Sequence, residues 1–100
     1  MIKSGSRLES QVCDTQVIVI RATEALAGLH CGGALMVALG GEKSAGAVLD
    51  PAFADGTALG KRYIHDSGAE VLVTRGGTGT LTVDTVPLAV KDAKPLPASD

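Results

Sequence analysis

The sequence has no tryptophan and only two aromatic residues, Phe53 and Tyr63. Aromatic rings therefore contribute little to the core, which must be built from valine, leucine, isoleucine and alanine. The chain has 100 residues, and we expect one small β domain over residues 1–100. A domain of this size buries roughly 65% of the surface that its unfolded chain exposes.

A surplus of positive charge is also missing. Lys and Arg together number 9 against 11 Asp and Glu, for a net charge of −2. We therefore expect neither a nucleic-acid partner nor a membrane partner, because binding to phosphates and anionic lipids draws on excess positive charge. No apolar run reaches the roughly 18 residues of a transmembrane helix, and the first residues lack the apolar stretch of a signal peptide. These features favour a cytoplasmic protein.

Short apolar runs separated by glycine predict an all-β fold. Strands are predicted at residues 17–20, 35–39, 71–74 and 80–83, with residues 86–90 continuing the sheet after a turn. Helical signals are limited to single turns. One covers residues 23–27, and the other covers residues 50–56, where Asp50 can cap the turn and Pro51 suits its first position.

Two glycine-rich segments resemble parts of nucleotide-binding motifs, but neither is complete. Residues 76–79 (Gly-Gly-Thr-Gly) follow a predicted strand and predict a hairpin turn, since no helix and no third glycine of a dinucleotide motif follow. In residues 40–44, Glu42 would put a carboxylate against the phosphate of a P-loop ligand. We expect no nucleotide cofactor.

The two halves of the chain resemble each other, with a single gap near Cys13. The segments that match are residues 5–8 with 60–63, residues 17–21 with 71–75, and Leu29 and Met36 with Leu81 and Leu88. This pattern predicts two repeat units, residues 5–39 and 60–91, joined by a connector over residues 40–59. Residues 92–100, with two prolines, are predicted to form an extended tail.

The first unit contains a set of motifs in a fixed order. Residues 10–13 (Ser-Gln-Val-Cys) precede a valine-rich strand, residues 28–32 (Gly-Leu-His-Cys-Gly) follow it, and Met36 comes next. This order resembles desulforedoxin, a small iron-binding module with a rubredoxin-like fold that also forms the N-terminal part of desulfoferrodoxin. Ser10 and His30 stand where that family has cysteines. The resemblance implies tandem hairpin units in which Cys13 and Cys31 approach each other.

These two cysteines would be the centre of a site. Cys13, Cys31 and His30 would supply three metal ligands, and a fourth would be His65, Asp14, water or a residue of a second subunit. Such a mixed sulfur and nitrogen set suits Zn²⁺ first, with iron as the alternative. Adjacent residues of a regular strand point to opposite faces, so His30 and Cys31 would both bind the metal only in a distorted strand. A redox-active thiol pair without metal is also open.

These observations predict a small non-catalytic accessory or interaction module that binds zinc at Cys13 and Cys31. The first alternative is an iron-binding redox or electron-transfer protein, and the second is a small subunit that completes an enzyme. No catalytic residue is predicted, because the aspartates lie in turns, where they usually bond to the backbone. Strands with valine and isoleucine on both faces predict a homo-oligomer or a protein partner that covers them.

Overall fold

The computed structural model describes residues 2–91, so the predicted tail at residues 92–100 lies outside the described residues. Within this range the chain forms ten short strands. They are β1 (Arg7–Glu9), β2 (Gln16–Arg21), β3 (Leu29–Cys31), β4 (Ala34–Leu35), β5 (Val37–Ala38), β6 (Arg62–Ile64), β7 (Glu70–Arg75), β8 (Leu81–Val83), β9 (Val86–Pro87) and β10 (Ala89–Lys91).

The strands form two antiparallel sheets, which confirms the predicted all-β class. The large sheet has six strands in the order β10-β6-β7-β2-β1-β5, and the small sheet has four in the order β4-β3-β8-β9. Strands β2 and β7 pair at the centre of the large sheet, and β3 and β8 pair at the centre of the small sheet. Each central pair therefore joins one strand of the first half to one strand of the second.

The two halves correspond strand for strand. If every strand from β1 to β5 is exchanged with its counterpart from β6 to β10, each sheet has the same strand order read from the other edge. The backbone repeats hydrogen bonds as well: Met36 N–H donates to Leu29 O over 3.0 Å, and Leu88 N–H donates to Leu81 O over 3.0 Å. The interpretation of these halves as desulforedoxin-like hairpin units stays a prediction.

The core lies between the inner faces of the two sheets. In β2 and β7, alternate residues point inward, as the period of a strand requires. The inward residues of these central strands are four valines, each no more than 1% exposed: Val17, Val19, Val71 and Val73. Leucines of the small sheet, Leu29 and Leu81, belong to the same buried cluster. Burial of these aliphatic side chains is the main stabilising contribution in a chain with so few aromatic residues.

The apolar run at residues 35–39 is not a single strand. β4 ends at Leu35 in the small sheet and β5 begins at Val37 in the large sheet. The chain crosses between the sheets at Met36, whose side chain is buried in the core. The prediction of one strand is wrong here, because a continuous apolar run does not reveal where a chain passes from one sheet to the other.

The glycine-rich segment at residues 76–79 is not a hairpin turn. It connects β7 of the large sheet to β8 of the small sheet. The prediction is wrong because these glycines allow close packing against other segments and do not form a tight turn between paired strands. Gly77 and Gly79 pack so closely against other residues that a side chain at either position would overlap them.

Both predicted single turns are confirmed, as 3-10 helices at Glu24–Gly28 and Pro51–Phe53. The Thr23 hydroxyl accepts a hydrogen bond from Ala25 N–H, and the Asp50 carboxylate accepts one from Ala52 N–H. Each cap satisfies an N–H group that has no partner within the turn. In the part of the chain that the structure describes, no helix is long and apolar enough to span a bilayer.

Candidate thiol site

The loop between β1 and β2 carries Cys13 and is held by its first residue, Ser10. Ser10 N–H donates to Thr15 O over 2.9 Å and closes the loop. The Ser10 hydroxyl accepts hydrogen bonds from Val12 N–H at 3.1 Å and Cys13 N–H at 3.2 Å. Ser10 and Thr15 are both fully buried, so the backbone around Cys13 is fixed from inside the protein.

Cys31 is the last residue of β3 and points into the core, where its side chain is fully buried. Its Sγ atom lies 3.8 Å from Sγ of the partly exposed Cys13. The expected approach of the two cysteines is therefore confirmed. Both are free thiols, one accessible from the surface and the other shielded behind it.

Gly79 closes the site from the second half of the chain. Its N–H group donates to Cys13 Sγ over 3.3 Å. A Cβ atom at this position would lie 2.8 Å from Cys31 Sγ and 2.7 Å from Gly32 N. Only glycine brings its backbone this close to both sulfur atoms.

A chain of hydroxyl groups also leads to Cys13. Thr15 Oγ1 lies 3.2 Å from Cys13 Sγ and 2.7 Å from Thr57 Oγ1, and Thr57 Oγ1 accepts a hydrogen bond from Gly77 N–H over 3.2 Å. When Cys13 is a thiolate, the Thr15 hydroxyl can donate to the sulfur while it accepts from Thr57. Donors from two separate segments, the loop with Ser10 and Thr15 and the segment with Gly79, therefore reach one sulfur atom, and Thr57 supports the Thr15 hydroxyl from a third segment.

These contacts make Cys13 an acidic thiol. Burial raises the pKa of Cys13, but hydrogen bonds from the hydroxyls of Ser10 and Thr15 and from backbone N–H groups outweigh it, and the pKa falls from 9.0 to about 7. A thiolate is the nucleophilic form of cysteine, and donors that bond to it favour that form. Near neutral pH a large share of Cys13 is therefore reactive.

The neighbouring thiol shifts in the opposite direction. Burial, and after it the negative charge on Cys13, raise the pKa of Cys31 from 9.0 to about 12. Cys31 is therefore a neutral thiol at physiological pH. The site contains one nucleophilic sulfur, that of Cys13, in contact with the protonated sulfur of Cys31. Cys31 is unreactive as long as Cys13 is a thiolate.

This difference predicts a pH profile for alkylation. In folded protein treated with iodoacetamide, we expect the rate at Cys13 to rise with pH through a midpoint near 7, because the thiolate fraction rises through its pKa. Cys31 should remain unmodified. Mass spectrometry of the digested protein after timed exposure measures both sites. Replacing Thr15 with valine, which keeps the shape but removes the hydroxyl, should move the midpoint to higher pH. A midpoint at the unshifted value of 9.0 in the unaltered protein would contradict this assignment.

The two predicted histidine ligands lie elsewhere. His30 precedes Cys31 in a regular strand and is only partly buried, and its Nδ1 lies 2.7 Å from Gly28 O. His65 begins the loop between β6 and β7, at the opposite end of the central β2–β7 pair from Cys13. Its Nδ1 accepts a hydrogen bond from Ser67 N–H over 3.1 Å. Within residues 2–91, no three side chains of His, Cys, Asp or Glu are arranged to hold a metal ion.

Sequence reasoning missed the residues that lower the pKa of Cys13. In the resemblance Ser10 is only a replaced cysteine, whereas in the structure its hydroxyl is a principal donor to the site. Ser10 has the same loop position as His65, since His65 N–H donates to Ala69 O just as Ser10 N–H donates to Thr15 O. The predicted repeat, which matches Ser10 with His65, was the signal that could have placed Ser10, but Gly79 could not be placed without knowledge of how the sheets pack.

No family model, curated protein or solved structure matches this chain. Its function is therefore inferred from the geometry of its own residues.

Proposed function

We propose that this protein is a small thiol–disulfide redox module in which Cys13 and Cys31 alternate between two thiols and one disulfide. The observation that carries the proposal is the 3.8 Å contact between the sulfur atoms of two thiols whose pKa values are shifted in opposite directions. Cys13 is partly exposed and acidic, which suits an attacking thiol. Cys31 is buried beside it, which suits a thiol that reacts second.

The oxidation needs a disulfide-bearing substrate as the oxidant. The Cys13 thiolate attacks one sulfur of that disulfide, forms a mixed disulfide and releases the first substrate thiolate. Cys31 then loses its proton to this leaving group and attacks Cys13 Sγ, which releases the second substrate sulfur as a thiolate. Two electrons pass from the protein to the substrate, which leaves as two thiols once its sulfur atoms are protonated.

The order of the two steps follows from the local charges. While Cys13 is a thiolate, its charge raises the pKa of Cys31. When Cys13 becomes part of a mixed disulfide, this charge disappears and Cys31 gives up its proton more readily. The second thiol is therefore activated by the first reaction, and the exposed sulfur always reacts before the buried one.

Single cysteine variants test this order. We expect glutathione disulfide to convert the full chain to the intramolecular Cys13–Cys31 disulfide, identified by mass spectrometry of non-reduced peptides. The Cys31→Ser variant should accumulate a mixed disulfide with glutathione at Cys13, because the second thiol is gone. The matched Cys13→Ser variant should remain unmodified, because burial, the larger cause of the raised pKa of Cys31, remains and also shields this thiol from glutathione disulfide. Equal modification of the two variants, or no intramolecular disulfide in the full chain, would contradict the proposal.

Zinc binding at the same two cysteines is the second candidate, favoured by one distance. Two thiolates bound to one tetrahedral zinc ion at about 2.3 Å are about 3.8 Å apart, which is the separation of Cys13 Sγ and Cys31 Sγ. The described residues provide two ligands, so water or a second copy of the chain would supply the others. Elemental analysis of the isolated protein distinguishes the candidates: stoichiometric zinc that protects Cys13 from iodoacetamide favours this function over the redox module.

A further inference from the structure

The outer face of the large sheet carries the charged residues of the strands. The strands of the small sheet contain no Lys, Arg, Asp or Glu, whereas those of the large sheet contain five cations and two anions. The cations are Arg7, Arg21, Arg62, Arg75 and Lys91, and the anions are Glu9 and Glu70. A net positive face on a chain whose overall charge is −2 marks this surface as distinct from the rest of the molecule.

Part of this face forms a hollow of about 390 Å³ beside β2. Arg7 and Arg75 line it together with Gln16, and Ile18 and Leu39 provide apolar surface. Among residues 2–91, neither arginine forms an ion pair. The hollow thus combines two guanidinium groups with an aliphatic surface, which is the composition of a site for a small amphipathic anion.

A β-bulge explains why Arg75 faces outward. In the β2–β7 pair, Val17 lies opposite Val73, but Gln16 lies opposite Arg75, so Thr74 is an extra residue in its strand. The extra residue shifts the alternation of side chains and places Arg75 on the same face as Gln16. A bulge is often found where a strand has to redirect a functional side chain.

In the second half of the chain, Glu70 has the position that Gln16 has in the first half. Arg62 corresponds to Arg7, and Glu70 is the first residue of β7 as Gln16 is the first residue of β2. The Glu70 carboxylate accepts hydrogen bonds from Arg62 at 3.4 Å and from Lys91 at 3.1 Å. In the first half the corresponding side chain is the neutral Gln16. Glu9 lies opposite Gln16, but its carboxylate pairs with Lys43 and accepts a hydrogen bond from Gly40 N–H. Among residues 2–91, the second half therefore has a carboxylate paired with its arginine, whereas Arg7 and Arg75 have none.

We infer that the hollow lined by Arg7 and Arg75 binds the carboxylate group of a small aliphatic acid. The carboxylate would take the place that the Glu70 side chain has in the second half, within reach of both arginines. The aliphatic part of the ligand would lie on Ile18 and Leu39, and Leu39 is 44% exposed without such cover. This site lies on the outer face of the large sheet and does not depend on the proposed thiol chemistry.

A titration with hexanoate tests this inference, followed by the backbone amide signals of ¹⁵N-labelled full-length protein. We expect saturable shifts at residues that line the hollow. The Arg75→Gln variant should bind hexanoate about tenfold more weakly, because a charge-assisted hydrogen bond is lost. The Gln16→Glu variant should lose binding, because its new carboxylate would occupy the site. The same spectra show that each variant remains folded.

Three controls test whether hexanoate binds through its carboxylate at this hollow. Arg21→Gln makes the same change at the corresponding position of β2 and should leave hexanoate binding unaltered. Hexan-1-ol has the same alkyl chain without the charge, and equal binding of it would overturn the inference by showing an apolar patch only. Tighter binding of inorganic phosphate than of hexanoate would overturn the assignment of a carboxylate ligand, and unaltered hexanoate binding by Arg75→Gln would overturn the site itself.

Discussion

Replacing Leu81 with alanine should lower the free energy of unfolding by about 3 kcal/mol. Leu81 is 1% exposed and lies opposite Cys31 in the central pair of the small sheet. The truncation removes apolar contacts and leaves a cavity that short, tightly packed strands cannot close. A domain of this size is stable by about 5–15 kcal/mol, so this single change removes a large part of the total.

The correspondence of the two halves extends this prediction. Leu29 is the first residue of β3 as Leu81 is of β8, and it is also 1% exposed. Leu29→Ala should therefore have a similar cost, of about 3 kcal/mol. Urea denaturation followed by circular dichroism measures both variants. Leu59→Ala is the control, because Leu59 is 68% exposed and should change stability by less than about 0.5 kcal/mol. A cost below about 1 kcal/mol at either buried position would contradict the described core.

Gly79→Ala should have the second largest effect, with a loss of about 2 kcal/mol or more. The added Cβ would meet Gly32 N at 2.7 Å and Cys31 Sγ at 2.8 Å, so backbone and a buried side chain have to move. Gly28→Ala is a matched control, since its Cβ would meet only Asp84 Oδ1 at an ordinary 3.5 Å. Thermal unfolding of both variants measures the difference, and equal stability would contradict the close packing at Gly79.

The same substitution should alter the chemistry of the site. Displacing residue 79 weakens the hydrogen bond from its N–H group to Cys13 Sγ, one of the bonds that lower the pKa of Cys13. We therefore expect the alkylation midpoint of Cys13 to move to higher pH in Gly79→Ala, while Gly28→Ala keeps the original midpoint. A loss of stability with no change in this midpoint would separate the packing role of Gly79 from its role at the thiol.

Much of the fold could be predicted from the sequence because its central strands are long enough to show a pattern. β2 and β7 carry six residues each with alternating buried valines. The three-residue strands β1, β3 and β6 were missed as strands in their own right. Arg7–Glu9 and Arg62–Ile64 mix charged and apolar residues over too short a span to show a period.

The candidate site was predicted only in part. The contact of Cys13 with Cys31 followed from the resemblance, which itself stays a prediction, but the residues that tune the two thiols did not. Gly79 and Thr57 reach the site from the second half of the chain, through packing between segments far apart in sequence. A single sequence indicates which residue types are reactive, whereas long-range packing decides which backbone groups surround them.

Cys13 and Cys31 are 18 positions apart in sequence, and this spacing has an energetic consequence. A covalent bond between them would enclose β2 and the first 3-10 helix in a ring, which restricts the unfolded chain by about 3 kcal/mol for a ring of this length. Folding and disulfide formation are linked in a thermodynamic cycle. The free energy by which the disulfide stabilises the fold therefore equals the free energy by which the fold stabilises the disulfide against reduction. Partial unfolding and reduction would then promote each other, so heat or denaturant would make the oxidised chain easier to reduce.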